Sequence, residues 1–284
     1  MNVVDIEQAS RTAWPALQEK ELPFGVLRFS KGLTPRSNSL TLFMGAPFNF
    51  INMLSVTEDI FRKRRLPSIL RVIDPGNAPD EQFKDLDCYL ANSGYALEAP
   101  TEVMLVNLET HSNVHLQKSR CTKENKLKNL FCIHPCGIDD WIVAWAELTL
   151  ASEEKSRIFH CMLSTRSKTS HFLVARDYTG KAVSCGMSVQ AGETIGVFGM
   201  ATHKHSRRKG LASSVINQLL QWGSENEATH GYLQVERGNY SAKRVYKKLG
   251  FRKLYSYWYR VKPLAINPLV LSQIYPKTET GRVW

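Results

Sequence analysis

No stretch of this chain approaches the ~20 uninterrupted apolar residues that a membrane-spanning helix needs. Even Trp141–Leu150 is broken by Glu147. A basic start followed by an apolar core is missing too: residues 1–7 read Met-Asn-Val-Val-Asp-Ile-Glu, so no secretory leader is expected. Cysteine is sparse. Cys88, Cys121, Cys132, Cys136, Cys161 and Cys185 are scattered through the chain, which fits reduced thiols rather than a disulfide framework. Acidic charge is in deficit, with 26 Asp and Glu against 37 Lys and Arg, a formal charge of +11. These shortages argue against a helical membrane protein and a disulfide-stapled secreted domain. A soluble cytoplasmic protein with an anionic partner is expected: nucleic acid, a membrane surface or a polyanionic cofactor. At 284 residues, 43% of them hydrophobic, the chain is long enough for about two packed domains.

The second half is the more legible. Thr194–Ala201 is a short apolar run bounded by turn formers and predicts a buried strand. A basic, glycine-containing loop follows from His203 to Gly210. Leu211, Val215, Leu219 and Trp222 then recur at helical spacing, predicting an amphipathic helix over Leu211–Glu225. Tyr232–Glu236 alternates as a strand. Ala242, Val245, Tyr246 and Leu249 mark one face of a helix that Gly250 ends, and Lys253–Val261 is aromatic and strand-like. Upstream, Ile138–Leu150 and Glu153–Ser164 read as helices, and Phe172–Arg176 and Ala182–Val189 as a hairpin turned at Tyr178-Thr179-Gly180.

The first half repeats this order more faintly. Phe50–Val56 is expected as a strand, Glu58–Leu66 as a helix, Ser68–Ile73 as a strand, Asp80–Asn92 as a helix and Glu102–Leu108 as a strand. Leu90-Ala91-Asn92-Ser93-Gly94-Tyr95 matches Tyr246-Lys247-Lys248-Leu249-Gly250-Phe251 in kind: a helix end, a glycine, an aromatic opening a strand. An internal duplication of one α/β fold is inferred, with polar Glu109–Asn129 as linker; two unrelated units of similar order are the alternative.

The chemistry concentrates at Arg207-Arg208-Lys209-Gly210-Leu211-Ala212, a helix start preceded by three cations. The first turn of a helix offers unpaired N–H groups and roughly half a positive charge. Glycine permits close backbone approach, so the segment suits a phosphate or pyrophosphate. Alone, such a string also fits a solvated basic loop.

With these residues in view, the stretch from about Phe131 to Pro263 resembles the GCN5-related N-acetyltransferase (GNAT) superfamily. Arg207-x-x-Gly210-x-Ala212 is similar to its Q/R-x-x-G-x-G/A acyl-CoA signature. Asn239-x-x-Ala242-x-x-x-Tyr246-x-x-Leu249-Gly250-Phe251 is similar to its second signature. In the first half, Ala13-Trp14-Pro15-Ala16, Leu27-Arg28-Phe29 and Arg36-Ser37-Asn38-Ser39 look like the opening of tandem-domain members. The resemblance implies two tandem α/β units, each a mixed, mostly antiparallel sheet flanked by helices. Residues 1–115 would form a degenerate unit, 116–130 a linker, 131–263 the acyl-CoA-binding unit and 264–284 a tail. Ser55-Val56-Thr57-Glu58-Asp59, taken as the first unit's counterpart of the phosphate loop, carries acids where cations are needed.

The resemblance also implies roles. Backbone groups of Met200, Ala201 and Thr202 would pair with the pantetheine arm of acetyl-CoA. N–H groups from Arg208 through Leu211 to Ala212 would hold the pyrophosphate, with Arg207, Arg208 and Lys209 adding charge. Asn239 would anchor the loop or the pantetheine beside Ala242, and Tyr246 would protonate the leaving thiolate from an ordinary phenol pKa near ~10. An N–H near Met200 would stabilise the oxyanion. The expected function is acetyl transfer from acetyl-CoA to an amine, with no metal; a non-catalytic acyl-CoA-binding regulator and a nucleic-acid binder are the rivals. No nucleic-acid reader motif supports the last.

The general base is less legible. Family members often place a glutamate where this chain has Gly196, or five residues before the signature asparagine, where it has Gln234. Glu236 shares a strand face with Gln234 and is the candidate; Glu193, His203 and His205 read as surface or phosphate-facing groups. Cys132-x-His134-x-Cys136 fits no standard zinc spacing. Arg62-Lys63-Arg64-Arg65 reads as a solvated helix end, an anion patch being the alternative. The aromatics Tyr255, Tyr257, Trp258 and Tyr259 read as sheet packing.

Overall fold

A computed structural model of the chain describes residues 1–43, 49–76, 81–109 and 131–264; the linker at 116–130 and the tail beyond 264 lie outside them. The chain opens with α1 (Val3–Ala13), started by a reciprocal cap between Asn2 and Asp5. A hairpin follows, β1 (Gln18–Leu22) with β2 (Gly25–Phe29), and then β3 (Leu40–Leu42). Next come α2 (Phe50–Lys63), β4 (Ser68–Asp74), α3 (Glu81–Asn92) and β5 (Ala96–Asn107). The second half comprises β6 (Phe131–Pro135), α4 (Ile138–Thr149), α5 (Glu153–Ser164), β7 (Ser170–Asp177) and β8 (Ala182–Ala191). It ends with β9 (Thr194–Thr202), α6 (Leu211–Glu225), β10 (His230–Glu236), α7 (Tyr240–Lys248) and β11 (Arg252–Lys262).

The expected elements of the second half are present, with β6 added ahead of them. The first half departs at two of its predicted elements. Phe50–Val56 is helix, not strand, and is continuous with the predicted helix at Glu58. Asn49 caps α2 by accepting from the Asn52 N–H, and Met53, Leu54, Thr57, Ile60 and Phe61 are buried at helical spacing. Ser55–Asp59 is therefore helix interior, and the strand before α2 is β3. The sequence between them reads Phe43-Met44-Gly45-Ala46-Pro47-Phe48-Asn49, without a cation; residues 44–48 lie outside the described set. The strand placed at Glu102–Leu108 begins earlier, at Ala96.

The eleven strands among the described residues join one sheet in the order β1-β2-β3-β4-β11-β5-β10-β9-β8-β7-β6. The β3–β4 and β9–β10 pairs are parallel and the other pairs antiparallel. Two strands are exchanged at the centre. β5, from the first half, pairs with β10 of the second, while β11, from the second half, pairs with β4 of the first. The exchanged strands pair with each other. Two units of the same order thus meet about a local pseudo-twofold, rather than standing side by side with separate sheets.

The core follows the exchange. On one face α1 packs with α4 and α5, so that Ile6, Ala13 and Trp14 share a cluster with Trp141, Phe159, Met187 and Phe198. Tyr255, Tyr257 and Tyr259 of β11 are buried in that cluster, whereas Trp258 faces the other side and donates to Asp87 at 2.6 Å. On the opposite face α6 and α7 cover the second half, and α2 and α3 the first. The basic run ends α2: Arg62 and Lys63 pair with Asp59 at 2.6 Å each, and Arg64 lies 4.2 Å from the Phe29 ring centre.

Candidate active site

The cleft opens where two parallel strands stop pairing. β9 and β10 are bonded only over Thr194–Val197 and His230–Leu233, although both continue. Beyond that point a cavity of about 310 Å3 lies between their C-terminal ends. Phe198, Gly199 and Met200 line one wall, and Gln234, Val235 and Glu236 the other, with Asn239 and Tyr246 across the mouth.

The β9 wall is bulged. The β8–β9 register shifts between Cys185, opposite Ala201, and Met187, opposite Phe198. Gly199 takes up the bulge with φ +59, and a Cβ there would stand 2.5 Å from the Trp141 ring, so the position requires glycine. Trp141 is itself fixed by donating Nε1–H to the Gly186 carbonyl at 2.9 Å. A bulge takes backbone groups out of a ladder, and this one presents Gly199 and Met200 to the cavity, as an oxyanion-binding N–H requires. From Phe198 to Thr202 the side of β9 toward β10 has no strand partner among the described residues; the Thr202 carbonyl accepts from Arg207 Nε at 3.2 Å.

At the end of β9 the loop to α6 has the expected form. Arg208 and Gly210 both adopt left-handed conformations, φ +63 and +86. Such alternation turns successive N–H groups toward one side. Gly210 caps α6 with no side-chain acceptor, so the first-turn N–H groups at Leu211 and Ala212 have no partner within the helix. Arg207, Arg208 and Lys209 are exposed, and none is in an ion pair among the described residues. Backbone donors, a helix N-terminus and three cations thus meet at one spot, fit for a diphosphate.

Asn239 starts α7. Its Oδ1 accepts from the Ala242 N–H and from Ser241 Oγ, both at 3.1 Å, so it anchors the loop. One turn on, Ala242, Val245 and Tyr246 pack on the core with Leu249. Tyr246 meets Phe251 edge-on at 6.1 Å and faces the cavity. Burial pushes its phenol up to about 12, above the ordinary value expected from sequence. It therefore keeps its proton at neutral pH.

Of the carboxylates, Glu236 is exposed at the cavity wall. Glu193 lies at the far end of β9, in the turn from β8, where its carbonyl accepts from the Thr229 N–H at 2.9 Å. Gln234 is held by its neighbours: Tyr257 donates to its Oε1 at 2.7 Å and its amide donates to Ser10 Oγ at 2.6 Å. No side chain fits at position 196, where a Cβ would stand 2.5 Å from the Phe198 ring and 2.6 Å from the Tyr232 hydroxyl. On the edge strand β6, Cys132 Sγ lies 3.8 Å from His134 Nδ1, both exposed.

Two residues of the cavity come from the first half, Trp14 and Arg36. Trp14 ends α1 with its ring centre 5.2 Å from that of Phe198. Arg28, buried on β2, fixes both by donating to the Trp14 carbonyl and, at 3.1 Å, to the Arg36 carbonyl. Asn38 holds the same loop by accepting from the N–H groups of Ser30 and Gly32, at 2.7 and 2.9 Å. The strings around Trp14, Arg28 and Arg36 stand out in the sequence, but nothing local there assigns them to a cleft built on β9 and β10.

The model of the acetyltransferase (GNAT) family matches residues 136–251, the stretch that builds this cleft. Over that stretch the chain is similar to the GNAT family of acetyltransferases. The family uses acetyl-CoA as co-substrate. Over 257 residues the chain is 25% identical to YobR of Bacillus subtilis (strain 168), named an uncharacterized N-acetyltransferase, covering 90% of this chain and 97% of that one. Among solved structures, a GCN5-related N-acetyltransferase from Kribbella flavida shares the fold with a TM-score of 0.64 at 15% identity, over 93% of this chain and 96% of that one. A tandem GNAT protein of the clavulanic acid biosynthesis pathway shares it at 0.57 and 14% identity, over 80% and 74%. The fold therefore has solved counterparts. No described helix of this chain is long and apolar enough to cross a membrane.

Proposed function

We propose that this chain is a GNAT acetyltransferase that moves the acetyl group of acetyl-CoA to an amine by direct attack, in the cytoplasm, with Tyr246 as general acid. The observation that carries this reading is the convergence of Tyr246 and the Gly199–Met200 bulge on one cavity, with the basic helix start of α6 just beyond it. The N–H groups at Arg208 to Ala212 hold the diphosphate, and the unpaired side of Met200 to Thr202 holds the pantetheine. The amine attacks the thioester carbonyl while an N–H at the bulge takes the charge gathering on oxygen. A C–N bond forms and the C–S bond breaks. Tyr246 gives its proton to the thiolate and regains one from solvent. Glu236, at the rim, receives the amine proton through water.

The first unit is read as degenerate. The sequence between β3 and α2, residues 43–49, carries no cation. Residues 1–115 then serve to complete the sheet and to close the acyl cavity with Trp14 and Arg36, while residues 131–263 bind the cofactor. The test is turnover of acetyl-CoA over an amine panel, together with calorimetry on the full chain. One acetyl-CoA per chain is expected, and two would refute the degenerate assignment. Glu236→Gln should lower kcat with acetyl-CoA affinity unchanged; an unchanged kcat would remove Glu236 from the mechanism.

A further inference from the structure

Arg36 stands in a wall shared by two cavities. Besides the acyl cavity it borders a second, of about 350 Å3, in the first half beside α1 and the ends of β3 and β4. That space is the topological counterpart of the acyl cleft, since β3 and β4 are paired only at Leu40–Leu70 and Thr41–Arg71. Four guanidiniums border it, those of Arg11, Arg28, Arg36 and Arg71. Three are neutralised within the fold. Arg11 pairs with Glu19 and Glu21 at 2.8 and 3.1 Å, Arg28 with Glu19 at 2.9 Å, and Arg71 with Glu7.

Arg36 has no carboxylate partner among the described residues. Aromatic rings hold it instead, with its guanidinium carbon 5.1 Å from the centre of Trp14 and 5.8 Å from that of Phe198. Its polar side-chain neighbours are the phenols of Tyr257 and Tyr259 and the Arg71 guanidinium, none of them a carboxylate. Its Nε is buried without a hydrogen-bond partner, as is that of Arg71 in the same wall. A cation drawn out of water without a counter-charge is costly, and an unsatisfied buried donor adds to the cost. Both deficits vanish if a bound anion lies against the guanidinium.

We infer that the acceptor amine carries a carboxylate and that Arg36 binds it. One uncompensated charge matches a monoanion better than a dianionic phosphate, and the planar fork of a guanidinium matches the two oxygens of a carboxylate. Because Arg36 borders both cavities, an acceptor anchored there has its other end in the space that Tyr246 faces. Arg36 is thus a specificity-determining residue supplied by the first half for chemistry in the second. The inference rests on the acetyl-transfer reading above.

The experiment pairs amines that differ only by the carboxylate: phenylalanine with phenethylamine, tryptophan with tryptamine, lysine with cadaverine. With acetyl-CoA as donor, the carboxylate-bearing member of a productive pair should be favoured about 100-fold or more in kcat/KM. In Arg36→Gln that ratio should fall to within a few-fold, mainly through KM, while Arg36→Lys should keep part of it. Thermal melts of both variants check that the fold survives. Equal use of both members by the wild type, or a preference that Arg36→Gln leaves intact, would overturn the inference and leave acetyl transfer standing. Failure of the wild type to bind acetyl-CoA in calorimetry would instead remove the acetyl-transfer reading itself.

Discussion

Lys243 Nζ lies 2.5 Å from Glu102 Oε1, joining the helix that carries Tyr246 to a strand contributed by the other half of the chain. Both side chains are largely buried, at 13% and 12% exposure, so the pair is shielded from solvent. Removing one partner leaves a buried charge uncompensated, which costs about 3 kcal/mol. Glu102→Gln should lose about that much in urea unfolding, and Glu102→Gln with Lys243→Met should recover a large part. An additive double mutant would show that the two residues act independently.

Tyr246→Phe should lower kcat by about 100-fold or more while leaving acetyl-CoA affinity within about twofold, since the hydroxyl serves the leaving group and not the diphosphate. A general acid must hold its proton to work. With its phenol pushed up to about 12 by burial, activity should show no loss attributable to this group as pH rises to 10. The stability sign follows from the same shift. The folded state keeps a proton that the unfolded chain releases near ~10, so this contribution is complete below that pH and is lost on rising toward 12. A spectrophotometric titration of the phenols, with Tyr246→Phe as reference, checks it.

Gly210→Asp should raise the acetyl-CoA dissociation constant at least tenfold, for two reasons. Its φ of +86 disfavours any side chain, and a carboxylate at this position would repel the phosphates of the proposed ligand. Because Arg207, Arg208 and Lys209 are exposed, affinity should also fall with ionic strength. Calorimetry at two salt concentrations measures both effects; salt-independent binding would mean that the loop cations do not touch the ligand.

Gly196→Glu installs the carboxylate that many family members have, and it should not help here. Its Cβ would collide with the Phe198 ring and the Tyr232 hydroxyl, an overpacking expected to cost about 1–3 kcal/mol. Lower melting temperature without a gain in kcat is the expected result. A faster enzyme would show that the space can be vacated and that the missing base limits the rate.

Local chemistry made most of the second unit legible. The left-handed glycine at the start of α6, the cap at Asn239 and the apolar stripe from Ala242 to Leu249 depend on neighbours a few residues away, so their spacing in the chain is their spacing in space. The first half was harder for the same reason. Phe50–Val56 is apolar enough for a strand, but the Asn49 cap and burial at helical spacing decide for helix.

By itself the sequence determined the order of elements in the second half, the basic, glycine-containing start of α6 at Arg207–Ala212 and the placing of Tyr246 on the core-facing side of α7. Tertiary structure alone decided that β5 and β11 change places between the units, that Trp14 and Arg36 close a cleft built nearly 200 residues later, and that Tyr232 fills the space beside Gly196. Periodicity says which face of an element is buried. It does not say against what, because strand partners and cavity walls are chosen by contacts distant in the chain.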